Sequence, residues 1–183
     1  MYENEIKFKI ANLTSLLTNL EKKNCKFTKE SHQIDTVYVK QETPGIHIVS
    51  GEPVVRVRRE GNKQWLTLKR EISDGAFMEH ELETSQSEEI FHILTNLGMK
   101  HFVEIDKERK TGTIDDFNIC LDKVKNLGDF LEIEYLTELE WENELAKAKI
   151  IALANELGLD TQNIVYKTYN TLLLESIHGE DAI

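Results

Sequence analysis

The sequence is poor in cysteine and proline and contains no long apolar run. Its two cysteines, Cys25 and Cys120 among 183 residues, have no metal-ligand spacing and cannot form a disulfide framework. A reducing, cytoplasmic setting is therefore expected. Two prolines and no Pro- or Ser-rich stretch leave no interdomain linker. Residues 1–176 are read as a single domain, followed by a loose polar tail over 177–183. No apolar segment approaches a membrane span, and the charged opening lacks the core of a signal peptide. Basic excess is also missing: 22 Lys and Arg stand against 33 Asp and Glu, a net charge of −11. That balance argues against nucleic acid or anionic membrane as a general partner. The six histidines show neither H-x-x-H nor H-E-x-x-H spacing, and no glycine-rich phosphate cradle occurs.

What the sequence has is charge on alternate positions. In the opening stretch Glu3, Glu5, Lys7 and Lys9 fall on one face of a strand, with Asn4, Ile6, Phe8 and Ile10 on the other. Two carboxylates followed by two ammoniums can hold a divalent cation and the polyanion it carries. The same alternation returns downstream. Arg56 and Arg58 share a face, as do Lys63, Trp65, Thr67 and Lys69, then Glu79, Glu81 and Glu83, then Lys107 and Arg109, then Glu132 and Glu134.

Between these strands the helical signals are few. Asn12 caps a helix through Leu13, Leu16, Leu17 and Leu20. Ser85 or Ser87 opens a second, through Ile90, Phe91, Leu94 and Leu97, ended by Gly98. Leu139 to Leu157 is the longest, with Trp141 and Leu145 on its core-facing stripe, and Tyr169 to Ser176 is the last. Gln41 to Gly51, with Pro44-Gly45, reads as a loop or hairpin connection. About eight hairpin-linked strands fit an α+β fold, an eight-stranded antiparallel β-barrel with helices packed outside. If helices cover the apolar faces, the charged faces point inward. A charged interior needs mutual pairing or a ligand, and a metal–triphosphate complex matches the inventory: carboxylates for the hard cations, Arg and Lys for phosphate oxygens. Like charges crowded there predict that removing Arg56 or Arg58 leaves the ligand-free protein as stable or more so.

The ordered motifs resemble the CYTH superfamily, the triphosphate tunnel metalloenzymes, and within it the CyaB-like class IV adenylyl cyclases. Glu3-Asn-Glu5-Ile-Lys7 matches E-x-E-x-K, and Asp35-Thr-Val-Tyr38 resembles the D-x-Y strand with one residue more between Asp and Tyr. Val55-Arg56-Val57-Arg58 and Leu66-Thr-Leu-Lys69 resemble a paired L-R-I-R hairpin, and Lys107-Glu-Arg109 fits K-x-R. Ile119-Cys-Leu-Asp122, Leu127 to Glu134, and Lys167-Thr-Tyr169 with Leu172 to Leu174 complete the series. Two departures stand out: Phe77-Met-Glu-His replaces the usual Arg-bearing lead into the E-x-E strand, and Lys69-Arg70-Glu71 lacks the common proline ending.

The resemblance implies a tunnel that binds a triphosphate with Mg²⁺ or Mn²⁺. By position it implies Glu3, Glu5, Glu132 and Glu134 as metal ligands, with Asp122 and Glu81 or Glu83 close by. Lys7, Arg56, Arg58, Lys69, Lys107 and Arg109 would bind phosphates, with Glu3, Glu5, Lys7 and Arg109 forming the catalytic set. Lys167 would close one end of the tunnel, and Tyr169 would pack. The implied reaction is ATP to cyclic AMP and pyrophosphate. The alternatives are hydrolysis of inorganic triphosphate, thiamine triphosphate or a nucleoside triphosphate, and a non-catalytic nucleotide or polyphosphate sensor. A homodimer is the assembly to test.

Overall fold

The computed structural model describes residues 2–40, 51–73, 76–139 and 142–178. The Pro44-Gly45 connection, Trp141 and tail residues 179–183 lie outside them. Strands β1 (Tyr2–Lys9), β2 (Lys26–Lys40), β3 (Val54–Glu60), β4 (Lys63–Ser73), β5 (Ala76–Ser85), β6 (Met99–Ile114), β7 (Phe117–Val124) and β8 (Gly128–Thr137) follow the alternating segments of the sequence. Helices α1 (Leu13–Lys22), α2 (Glu89–Asn96), α3 (Asn143–Glu156) and α4 (Tyr169–His178) follow the helical ones. The sheet order is β5-β4-β3-β2-β6-β7-β8-β1, and a further β5–β1 pairing closes it into an antiparallel eight-stranded barrel. A two-residue strand, β9 (Ile164–Val165), adds to β1 beside Lys7 and Phe8. Its length is too short for any alternation to reveal it in the sequence.

Local chemistry sets the boundaries. The Asn12 side chain accepts from the Ser15 amide and starts α1, as an N-cap should. The β6–β7 hairpin turns on Asp115, whose φ of 48° lies in the left-handed region that Asp tolerates. At Gly112 a Cβ would meet the Lys26 carbonyl oxygen at 2.6 Å. This close approach occurs beside the register shift between Phe27 and Lys29 on β2.

Apolar residues face outward from the barrel toward the helices, which reverses the usual polarity of a sheet. Phe8, Ile119, Leu121, Leu131 and Ile133 pack with Leu16 and Leu20 of α1 and with Ile150, Leu153, Ala154 and Leu157 of α3. Val57 packs outside with Leu94 of α2, whereas Val37, Val103 and Ile105 share strand faces with the cavity-lining Asp35, Lys107 and Arg109 and pack with Leu173 and Leu174 of α4 on that inner side. On α3 the core stripe is Ala146, Ile150, Leu153 and Ala154. Leu145, expected on that stripe, is 59% exposed, because it falls outside the three- and four-residue spacing of the buried set. Asn4 is fully buried. It donates to the Tyr135 carbonyl and to Thr137, which donates in turn to Asn143 at the head of α3. Among the described residues no helix is long and apolar enough to cross a membrane.

Candidate active site

With the apolar faces turned outward, the charged faces line a cavity of about 650 Å³ inside the barrel. Glu3, Glu5, Lys7, Arg56, Arg58, Lys69, Glu79, Glu81, Lys107, Arg109, Glu132 and Glu134 all reach it.

The strand register dictates who pairs with whom. Arg58 stands opposite Asp35 and forks onto it with two hydrogen bonds of 2.7 Å. Arg109 stands opposite Asp122, donates to it at 2.6 and 2.5 Å, and also reaches Glu132. Lys7 stands opposite Glu132 at 3.3 Å. Lys69 stands opposite Glu79 at 2.6 Å, with Glu5 at 3.5 Å and Glu3 at 3.9 Å. Arg56 donates to Thr67 and Glu81, and the Thr67 hydroxyl donates to Glu81 at 2.8 Å.

One cross-strand pair in this wall breaks the pattern, among the described residues: Glu5 stands opposite Glu134. Like charges directly opposite destabilise a sheet. Glu3 joins them, and one oxygen from each of the three lies within 4.8 Å of the others. Burial first, with Glu134, Glu79 and Glu5 adding to it against the pull of Lys69, pushes the Glu3 pKa well above its ordinary value. Glu134 is raised by burial first and then by Glu5 and Glu132, against Arg109. Three oxygen donors converging with excess negative charge suit a hard divalent cation.

The remaining carboxylates behave oppositely. Burial would raise Glu132, but Arg109, Lys7 and Lys107 hold it well below the usual range. Arg58 likewise outweighs burial at Asp35 and keeps it low. Burial opposes the charge on Lys7, yet Glu5 and Glu132 hold its pKa above the ordinary lysine value.

Several residues singled out in the sequence sit elsewhere. Asp122 is fully buried behind Arg109 and Lys107 and occupied by both. Glu81 faces the cavity but bonds Thr67 and Arg56, apart from the carboxylate trio. Glu83 lies outside the cavity lining, paired with Lys63. Lys9 donates to the Leu127 carbonyl over the Phe130 ring. Lys167 is at the cavity mouth, paired with Glu175 at 2.7 Å. Arg56 and Arg58 are both ion-paired, so the expectation that removing Arg58 costs no stability is replaced: its loss strands the buried Asp35. Sequence reasoning gave no role to Asp35, Thr67 or Glu79, whose importance depends on cross-strand partners. Phe77, in the stretch that leads into the Glu79–Glu81 face, lines the cavity with the Lys69 ammonium 4.0 Å from its ring centre.

The comparisons agree with this architecture. The CYTH domain family model matches residues 1–169. A Methanocaldococcus jannaschii protein named as a candidate adenylate cyclase is 27% identical over 174 residues, spanning 92% of this chain and 97% of the relative. A conserved hypothetical protein of Pyrococcus furiosus superposes with a TM-score of 0.80 at 29% identity, covering 93% of this chain and 99% of its own. A Hippeastrum protein described as a candidate adenylyl cyclase with a dominant triphosphatase activity has a TM-score of 0.60 at 14% identity, covering 94% of this chain and 93% of its own. The last likeness is one of fold.

Proposed function

Because the chain belongs to the CYTH domain family, we propose that it is a divalent-metal-dependent enzyme acting on triphosphates, and that it converts ATP to cyclic AMP and pyrophosphate. The observation that carries the reading is the carboxylate trio Glu3, Glu5 and Glu134, set in the wall of a cavity whose lining also includes Lys7, Arg56, Arg58, Lys69, Lys107 and Arg109.

The trio would hold Mg²⁺ or Mn²⁺, with Glu132 next to it, tied to Lys7 and Arg109. When bound, such an ion polarises phosphate oxygens and eases deprotonation of an attacking hydroxyl. Arg56, Arg58 and Lys69 from one side of the barrel, and Lys7, Lys107 and Arg109 from the other, grip the phosphate chain. They neutralise charge as the ribose 3′-oxygen bonds to the α-phosphorus and the bond to the pyrophosphate oxygen breaks. The six cations are held by carboxylates in the free protein, so the grip is positioned before substrate arrives. Val37, Val54, Ile105, Ile164 and Val165 supply apolar wall on the same cavity, and its volume is in the range that takes a nucleotide-sized ligand.

A second reading, hydrolysis of inorganic or thiamine triphosphate, is supported by the activity described for the Hippeastrum neighbour, since the same charged wall serves water as nucleophile. ATP, 3′-deoxy ATP, inorganic triphosphate and thiamine triphosphate, incubated in parallel with Mg²⁺ or Mn²⁺, separate the two. A cyclase yields cyclic AMP and pyrophosphate from ATP and leaves 3′-deoxy ATP intact. Orthophosphate from 3′-deoxy ATP at the ATP rate, with no cyclic product, selects the triphosphatase.

A further inference from the structure

The segment entering α4 and the start of that helix line one side of the cavity: Lys167 and Thr168 precede the helix, and Tyr169, Asn170 and Thr171 open it. Tyr169 is only 7% exposed, and its hydroxyl oxygen has no hydrogen-bond partner among the described residues. A buried tyrosine hydroxyl ordinarily finds one, because burying it unpaired is costly. Its ring packs edge-on against Phe130 at 5.1 Å between centres, which a phenylalanine would do as well. Packing therefore leaves the oxygen unexplained.

The ring's other neighbours point to an anion. The Lys7 ammonium lies 4.4 Å and the Lys107 ammonium 5.1 Å from its centre. These are cations of the proposed phosphate grip, so the ring that carries the hydroxyl packs against two of its members. Burial first, then Glu132 and Asp122, push the phenol pKa well above 10, so the hydroxyl keeps its proton at neutral pH and can donate.

We infer that the Tyr169 hydroxyl donates a hydrogen bond to a phosphate oxygen of bound triphosphate, completing a subsite shared with Lys7 and Lys107 at the α4 side of the cavity. The inference rests on the triphosphate reading above. It makes Tyr169 a substrate-binding residue, with the ring holding the two ammoniums and the oxygen touching the ligand.

The test is Tyr169→Phe, which keeps the ring and removes only the oxygen. Titration calorimetry with the imido analogue of inorganic triphosphate, in Mg²⁺, should show about a tenfold or greater loss of affinity, the scale of a hydrogen bond to a charged acceptor. Binding of Mn²⁺ alone should be unchanged. The ligand-free melting midpoint should hold or rise, since the variant deletes an unpaired buried polar atom. Equal affinity for the analogue in both proteins would overturn the assignment while leaving the triphosphate reading standing. A lower ligand-free midpoint would also overturn it, by showing that the oxygen serves the fold. Failure of the wild-type protein to bind the analogue would remove the triphosphate reading, and this inference with it.

Discussion

Replacing Arg58 by alanine tests whether the barrel interior is held by pairing. Arg58 is 13% exposed in its side chain and Asp35 4%, and the two share two hydrogen bonds of 2.7 Å. Removing one partner of such a pair leaves an uncompensated buried charge, a loss of about 3–5 kcal/mol. For a domain of this size each kcal/mol moves the midpoint by about 2–4 °C, so a drop of about 6–20 °C is expected. The pH dependence should invert as well. In the wild type Asp35 is held low by Arg58, against burial, so its stabilisation is present above the unfolded value near 3.8 and lost as pH falls through the lower folded one. In the variant burial acts unopposed by Arg58, the folded pKa rises, and stability should fall as pH increases from about 4. Urea melts of Arg58→Ala at pH 4 and pH 7, together with the Arg58→Ala/Asp35→Asn double variant, read both effects. The double variant should recover most of the loss. A single variant within about 1 kcal/mol of wild type, or a double variant no better than the single, would refute the pairing argument.

Glu5→Gln and Glu134→Gln should each lower divalent-dependent turnover by at least about a hundredfold with the circular dichroism spectrum unchanged. Full activity in either would remove the trio from the mechanism. Glu3 and Glu134 have folded pKa values above the usual 4.5, so the metal-free protein should lose stability as pH rises from about 4.5 through those values. Saturating Mg²⁺ should abolish that slope in urea melts between pH 4.5 and 7, and an unchanged slope would count against metal at this site. Lys69 bridges Glu79, Glu5 and Glu3, so Lys69→Met should weaken binding of the triphosphate analogue by about tenfold or more in calorimetry. Wild-type affinity would place Lys69 outside the phosphate grip.

The inward faces were legible because a strand's period of two leaves each charge only two directions to point, and α1, α2 and α3 claim the apolar side. The opening Glu3-Glu5-Lys7 face follows that rule, whereas Lys9, one step further along β1, turns to the Leu127 carbonyl at the end of the pairing with β8. The division of labour among the carboxylates was not legible. Asp122 and Glu134 both belong to inward faces, but Arg109 stands opposite one and Glu5 opposite the other. That difference is set by cross-strand register between residues more than ten positions apart in the chain, which spacing within a strand does not encode. Tyr169 was legible as a packing residue, and its ring does pack. Its lone oxygen depends on what α4 meets after the barrel closes.

Strand β1 pairs with β8, β5 and β9, and it carries Glu3, Glu5 and Lys7. During synthesis its partner β8 emerges about 120 residues later, on the order of 6–24 s behind at ribosomal rates. Until then β1 has only its short pairing with β5 to draw on, and the rest of the strand is an edge with an apolar face, exposed to pairing with the wrong chain. The charges on its other face act against such association while the strand waits. The same delay means that Glu5 and Glu134 meet only when β1 docks on β8, so the carboxylate trio cannot form before the last long strand is made.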